Sequence, residues 1–439
     1  MLAPSRVTGL GGAYIGEAEG VEGSAVNSAA PAVRDPFSEK WLDFDLALSA
    51  SFLGAFAQTD FDNHGSTPDG KTTARTGDFI DLNFGGNIQL GYFGASATGD
   101  LQSYSLTSTT PGASSLTMEI GRWKGLAAFG FAKGQLVIGS GLRVVTLQVL
   151  QQGGGTLLAM TGFGPEIGAL LMPDGHQYRI GVTLRDGVSG SSFGNTRATV
   201  DAEGNQTAGR FILPQNVVMP WEVEAGFAYQ LGPRPLNPTW QNPVDEEEHV
   251  RLRIREDRES RAREYMLDLA RTAAPLREAR RAELLREEAA LRDLEDARLA
   301  AEAQRLYQAR KARYDNWPRE RILLLASVLV TGPSQNAVSL EGFLDQRHEL
   351  VGLSTSITPR VGLEGEPINN RLRARVGSYI EPSRYTEGFP RQHFTFGGDV
   401  KLFPFDFWGL LGETTWKIGF YVDMAPRYSN GGLSISTWH

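Results

Sequence analysis

The 439-residue chain contains no cysteine, which excludes a disulfide framework and any thiolate metal site. It also lacks a long apolar run. The longest, Ile322 to Val330 with Ser327 inside it, falls far short of the about 20 residues a spanning helix needs. It does match the about 9–11 residues of a spanning strand. Mean hydropathy is -0.26, which argues against a helical membrane protein. A net charge of -8 offers no basic surface for nucleic acid. Met1-Leu2-Ala3 shows no basic stretch leading into an apolar core, so no signal peptide is visible and an outer-membrane reading expects an export signal outside this sequence. The histidines His64, His176, His249, His348, His393 and His439 stand far apart, none at metal-ligand spacing and none beside a serine–aspartate pair. No catalytic residue, metal or cofactor is therefore expected, and the chain reads as a non-enzyme.

What is present is a two-residue alternation of apolar and polar side chains that recurs along the chain. Leu42, Phe44, Leu46, Leu48, Ala50 and Phe52 share one parity, while Asp43, Asp45, Ser49 and Ser51 share the other. Successive side chains of a strand point to opposite faces, so this segment has one greasy and one charged face. Repeated about a dozen times, with aromatics at segment ends, the pattern predicts an all-β transmembrane antiparallel barrel of about fourteen strands, greasy outside and polar within. Short turns at 132–134, 173–176 and 365–370 alternate with long polar connections such as 58–77, 189–216 and 333–355. That asymmetry is the one between the periplasmic and extracellular rims of outer-membrane barrels. The expected organisation is an N-terminal plug or hatch over residues 1–40, strands 1–8 over 41–232, a charged insertion over 233–320 and strands 9–14 over 321–439.

The insertion breaks the rhythm. From Asp245 to Asp315 about half the residues are charged and glycine is absent. Such a composition favours helix, with pairs such as Glu288–Arg292 at i,i+4 spacing and Pro275 dividing two helices. Following an even number of strands, it should leave from the rim that carries both termini, the periplasmic side, where it could meet a protein partner.

Three stretches resemble the FadL/TodX family of outer-membrane transporters of long-chain fatty acids and hydrocarbons. The first is Arg6-Val-Thr-Gly-Leu-Gly-Gly-Ala-Tyr-Ile-Gly-Glu-Ala, followed by Ala25-Val-Asn-Ser-Ala-Ala-Pro-Ala. There the family's Asn-Pro-Ala motif has its proline displaced to Pro31. The second runs from Phe211-Ile-Leu-Pro214 to Trp221-Glu-Val-Glu-Ala-Gly-Phe-Ala-Tyr229, and the third pairs Thr358–Glu364 with Leu372–Tyr379. The resemblance implies a hatch inside a fourteen-stranded barrel of a Gram-negative outer membrane. It also implies passive uptake of a hydrophobic small molecule, long-chain fatty acid-like or hydrocarbon, through a lateral gap at a kink in strand three. Gly94, Ser96 and Gly99 are the residues at which that strand would bend, although glycine-rich strands are common in barrels.

Candidate ligand contacts are Arg6, Asn27, Ser28 and Pro31 in the hatch and the inward ladder Arg371, Arg373 and Arg375. Paired N–H donors on these arginines could grip a carboxylate, or could form a structural ion-pair network that holds the hatch. Phe211, Leu213, Phe343 and Leu344 in outer loops could capture a ligand first, or could pack on one another. The competing class of function is a scaffold: a barrel that no longer transports and anchors a periplasmic helical arm for a protein partner.

Overall fold

The computed structural model describes residues 3–438, apart from 36–37, 39, 55–58, 62, 65–73, 109–114, 152–154, 194–198, 203–205, 209–210, 215, 335–336, 338, 340–342, 344–349, 387 and 407–412. Strands β1 to β6 are Leu42–Leu53, Ala74–Leu90, Phe93–Ser108, Ser115–Phe131, Leu136–Gln151 and Thr156–Leu171. β7 runs in two segments, Tyr178–Arg185 and Val188–Phe193, and β8 in two more, Asn216–Met219 and Glu222–Leu231. β9 to β14 are Ile322–Thr331, Ser356–Ile368, Leu372–Glu381, Arg391–Asp406, Glu413–Ala425 and Tyr428–Thr437. Each pairs antiparallel with its sequence neighbour, and β1 closes on β14 from Ala47↔Ser436 to Leu53↔Asn430. The result is a closed fourteen-stranded barrel. Three short strands, Thr199–Val200, Gln206–Ala208 and Phe211–Ile212, form a separate sheet in the connection between β7 and β8.

Closure of β1 on β14 leaves the barrel without a free sheet edge, which is the condition for strands to cross lipid. The outward parity is apolar and exposed, as at Phe84, Ile88, Val376, Phe394, Ile418 and Phe420. With an even strand number and this outer face, the barrel is of the Gram-negative outer-membrane type. Among the described residues no helix is long and apolar enough to cross a membrane. Trp41 and Trp221 are exposed near strand ends, as interfacial girdle residues should be. Trp416 and Trp438, also near strand ends, are buried instead: Trp438 lies under the Arg373 guanidinium at 4.1 Å and donates to Asn370 Oδ1 at 3.3 Å.

The start of β1, the end of β14 and the connections 91–92, 132–135, 172–177 and 369–371 lie at one rim, while β1, β3, β5, β7, β9, β11 and β13 end at the other. Residues 3–35 fill the lumen near the short-turn rim as α1 (Ser5–Gly9), α2 (Gly20–Ser24) and a 3-10 turn at Ala30–Ala32. Plug and barrel form one compact unit.

The second unit comprises Phe37–Leu42 and Trp240–Trp317. It contains α3 (Pro243–Arg271) and α4 (Arg277–Asp315), with Pro275 in the 3-10 turn between them. The Asn242 side chain caps α3 by accepting from the Val244 amide, and Pro243 takes the first helical position. The charges pair across the two helices as well as along them. Arg258 meets Glu295 at 2.6 Å, Arg261 meets Glu295 at 2.6 Å, and Arg280 meets Asp268 at 2.7 Å. Ile254 and Leu284 are the buried aliphatic side chains within the two helices, so ion pairs do most of the zipping.

Candidate functional site

The lumen changes character along its axis. Toward the long-loop rim, inward side chains of β1 to β6 form an apolar collar of Leu53, Tyr104, Leu116, Met118, Val149 and Met160. Loop residues Phe61, Leu213 and Phe343 pack against it from above. Two of the outer-loop candidates, Leu213 and Phe343, therefore face the lumen mouth. Ile212, next to Leu213 in the chain, is exposed. The Phe211 side chain and Leu344 lie outside the described residues.

Below the collar the same strands turn polar. Down β4 the inward series runs Leu116, Met118, Ile120 and then Arg122 and Lys124. Arg122 pairs with Asp100 at 3.6 Å beside a lumenal cavity of about 120 Å³ that reaches Glu22 and Ala25 of the plug.

The plug is seated by backbone contact. Inward glycines of six strands stand where plug atoms touch the wall: Gly94 against the Pro31 carbonyl, Gly139 against that of Ser28, Gly168 against Asn27, and Gly181 against that of Ile15. Gly226 meets the Ile15 side chain and Gly377 meets the Leu10–Gly11 peptide. A Cβ at any of these would overlap the plug. Gly94 is thus a seat, not a bend. Gly99 faces outward under the rings of Phe84 and Trp123, which meet edge-on at 5.7 Å. β3 pairs without a break from Phe93 to Ser103 on β2 and from Phe93 to Thr107 on β4. The gap expected at Gly94, Ser96 and Gly99 is therefore not present between β3 and its neighbours.

Charged groups complete the seat. Arg6 grips Glu364 with two nitrogens, at 3.0 and 2.8 Å, and donates to Tyr14 at 2.6 Å. Arg375 also meets Glu364, at 2.5 Å, and Asp399 at 2.9 Å. Lys417 bridges Glu22 of α2 and Asp399, at 2.7 and 3.4 Å. Arg373 pairs with Glu366 at 3.2 Å. Arg6, Arg373 and Arg375 are thus brought together, but on wall carboxylates. Arg371 departs from the expected ladder: it sits exposed in the turn before β11, its amide bonded to the Ile368 carbonyl. Asn27 donates to the Ile15 and Ala169 carbonyls, and the Pro31 carbonyl accepts from Asn87 and Gln89. These contacts of Arg6, Asn27 and Pro31 fasten the plug to the wall. Arg179 on β7 pairs with Glu17 at 3.1 Å and Glu19 at 2.6 Å. Burial pushes the Glu17 carboxyl up to about 7 against the pull of Arg179. Burial also opposes ionisation of Glu19, but Arg179 and Arg6 together hold it down at about 2.

The wall is irregular elsewhere, where β6 meets β7 and β8. Pro165 on β6 has no N–H to give the ladder. Opposite it, β7 is interrupted at Asp186–Gly187, and one extra residue separates the pairs Phe163↔Ser189 and Glu166↔Arg185, a bulge. β8 breaks at Pro220–Trp221 on the same level. An open cavity of about 950 Å³ lies here. Its lining includes Leu142, Pro165, Ile167 and Leu184 from the lipid face and Ser96, Leu126, Glu166 and Arg185 from the lumen face. A Cβ on the outward Gly125 would meet nothing within 4 Å. Ser96, a strand-three candidate, thus lines an opening that centres on other strands. The signals that pointed there were Pro165 and Pro220 within strand-like alternation.

No protein-family model and no curated protein matches the chain. Its fold is similar over nearly its whole length to several solved channels. The CymD monoaromatic hydrocarbon channel shares 9% identity at TM-score 0.49, covering 99% of this chain and 96% of that one. A Pseudomonas aeruginosa FadL homologue shares 11% at TM-score 0.49, covering 99% and 97%. The Pseudomonas putida toluene transporter TodX shares 10% at TM-score 0.43, covering 98% and 95%.

Proposed function

We propose that this barrel is a channel of the FadL/TodX family that carries hydrophobic small molecules, fatty acid-like or hydrocarbon, from the long-loop rim into the outer membrane. No chemical step is involved. The ligand first enters the apolar collar, where Met118 and Met160 adapt to varied shapes because the unbranched thioether chain has many rotamers. The plug blocks the axis below with buried ion pairs that an apolar solute cannot replace. Release then runs sideways through the irregular wall where β6 meets β7 and β8.

The observation that carries this reading is the cavity of about 950 Å³ lined from both faces of the wall. Passage there spares the ligand the charged floor and delivers it directly to lipid. A photoreactive alkyl probe added from the long-loop side of reconstituted protein should form adducts at Met118, Leu126 and Leu142. Adducts confined to remote lipid-facing positions such as Phe420 would defeat the proposal.

The helical unit takes no part in this route. It joins the barrel through β8 and β9, at the rim of the termini, which an outer-membrane barrel turns toward the periplasm. Its longer helix, α4, is about 60 Å long at about 1.5 Å of rise per residue.

A further inference from the structure

The lumen face of the wall cavity carries a cluster that joins plug to wall. Glu166, on β6 beside Pro165, accepts from the Ser28 hydroxyl at 3.0 Å. Around the same carboxylate stand Lys124 at 3.5 Å, Arg143 at 3.6 Å and Arg185 at 3.9 Å. Two of these cations also hold the plug backbone: Lys124 donates to the Ala25 carbonyl at 2.8 Å and Arg185 to that of Val26. Plug residues 25, 26 and 28 are therefore tied to one charged centre at the opening.

The centre is built but incompletely satisfied. Glu166 Oε2, Arg143 Nε and Ser96 Oγ are buried and lack a hydrogen-bond partner among the described residues. The three ion-pair distances are all longer than a direct charge-assisted hydrogen bond of about 2.7–2.9 Å. A buried polar group without a partner is costly, so this centre holds the plug less firmly than a fully satisfied one would. The seat at Arg6 and Glu364, with contacts of 2.8 and 3.0 Å, is tight by comparison.

Resting on the lateral-release reading above, we infer that Glu166 and Ser28 form a latch that closes the wall cavity on its lumen side. Opening it means breaking the Ser28–Glu166 bond and drawing plug residues 25–28 away from β4 and β6, while Arg6 keeps the rest of the plug in place. Ser28 and Glu166 are gating residues and need not touch the ligand.

The chain has no cysteine, so an introduced thiol can be read without background. In a Leu126→Cys protein, the thiol should react slowly with a small methanethiosulfonate reagent while the latch is closed. Ser28→Ala should speed that reaction about tenfold, the population change expected from losing one charge-assisted hydrogen bond. Glu166→Gln should speed it further, because three cations then lose their shared carboxylate. A Ser28→Cys, Glu166→Cys pair joined by a cleavable bifunctional thiol reagent should stop uptake of an alkyl probe into vesicles, and reductant should restore it. The heat-dependent shift in gel mobility reports that each barrel has folded. Labelling rates equal to the parent in both single variants, or uptake unaffected by the cross-link, would overturn the latch. Latch-dependent labelling in a protein that takes up no probe would instead remove the transport reading and leave the latch standing.

Discussion

Arg6 of the plug and Glu364 of β10 meet in a two-pronged ion pair, Nε to Oε2 at 3.0 Å and Nη2 to Oε1 at 2.8 Å, with both side chains buried. Glu364 accepts from Arg375 and Arg321 as well, so one carboxylate serves three guanidiniums. Removing either partner strands a buried charge, a loss of about 3–5 kcal/mol. Glu364→Gln should therefore free the plug to limited proteolysis at its arginines while the barrel keeps its heat-dependent gel shift. A protected plug in that variant would mean that the glycine seats alone suffice.

Those seats have their own test. Gly139→Val and Gly181→Val each place carbon atoms where a plug carbonyl lies. Overpacking of this kind typically costs about 1–3 kcal/mol. Both variants should lower the melting temperature of plug protection measured by protease, whereas Gly125→Ala, whose Cβ meets nothing, should leave it unchanged.

Plug docking should depend on pH through two neighbouring carboxylates with opposite shifts. Glu17 is raised from 4.5 to about 7, so the docked plug holds its proton more tightly. Docking gains as pH falls from about 7 toward 4.5, and the gain disappears above 7. Glu19 is lowered from 4.5 to about 2, so its contribution is present above 4.5 and is lost as pH falls toward 2. Protection of the plug should therefore peak near pH 4.5. Glu17→Gln should flatten the limb between 4.5 and 7 and leave the acid limb in place, which a protease-protection series across pH will read directly.

Replacing residues 243–315 with a short Gly/Ser turn should leave barrel assembly intact, because the helices form a separate compact unit. Circular dichroism should lose its helical component while the gel shift persists. Failure of the barrel to fold would show that the arm is needed for assembly.

Much of the barrel is legible in the sequence because lipid and lumen impose opposite chemistry on alternate residues. The parity that sets Leu48 outward and Ser49 inward holds through the fold, and it placed Arg373 and Arg375 inside. It gave no warning about Arg371, since alternation says nothing about where a strand begins. Glycine was harder to interpret. Gly94 and Gly99 both read as bending residues, yet one accommodates a plug carbonyl from Pro31 and the other lies beneath two aromatic rings. Those partners are distant in sequence or belong to neighbouring strands, and only folding brings them together. The irregular wall was written locally, in Pro165 and in Pro220-Trp221, because a proline inside alternation removes a ladder donor. The partners of Ser28 and Asn27 were not accessible, since a short polar side chain in a glycine-rich segment fits a turn as well as a latch.

The central claim is lateral release through the irregular wall where β6 meets β7 and β8, into the cavity that reaches Gly125. Gly125→Trp projects a large ring into that cavity from a position with free space around its Cβ, so it should fill the opening without disturbing the ladder. The measurement is uptake of a fluorescent long-chain alkyl probe by vesicles containing the reconstituted barrel. The account predicts that Gly125→Trp folds normally, still binds probe in the collar and loses uptake. Uptake at the parent rate in a folded Gly125→Trp protein would contradict it.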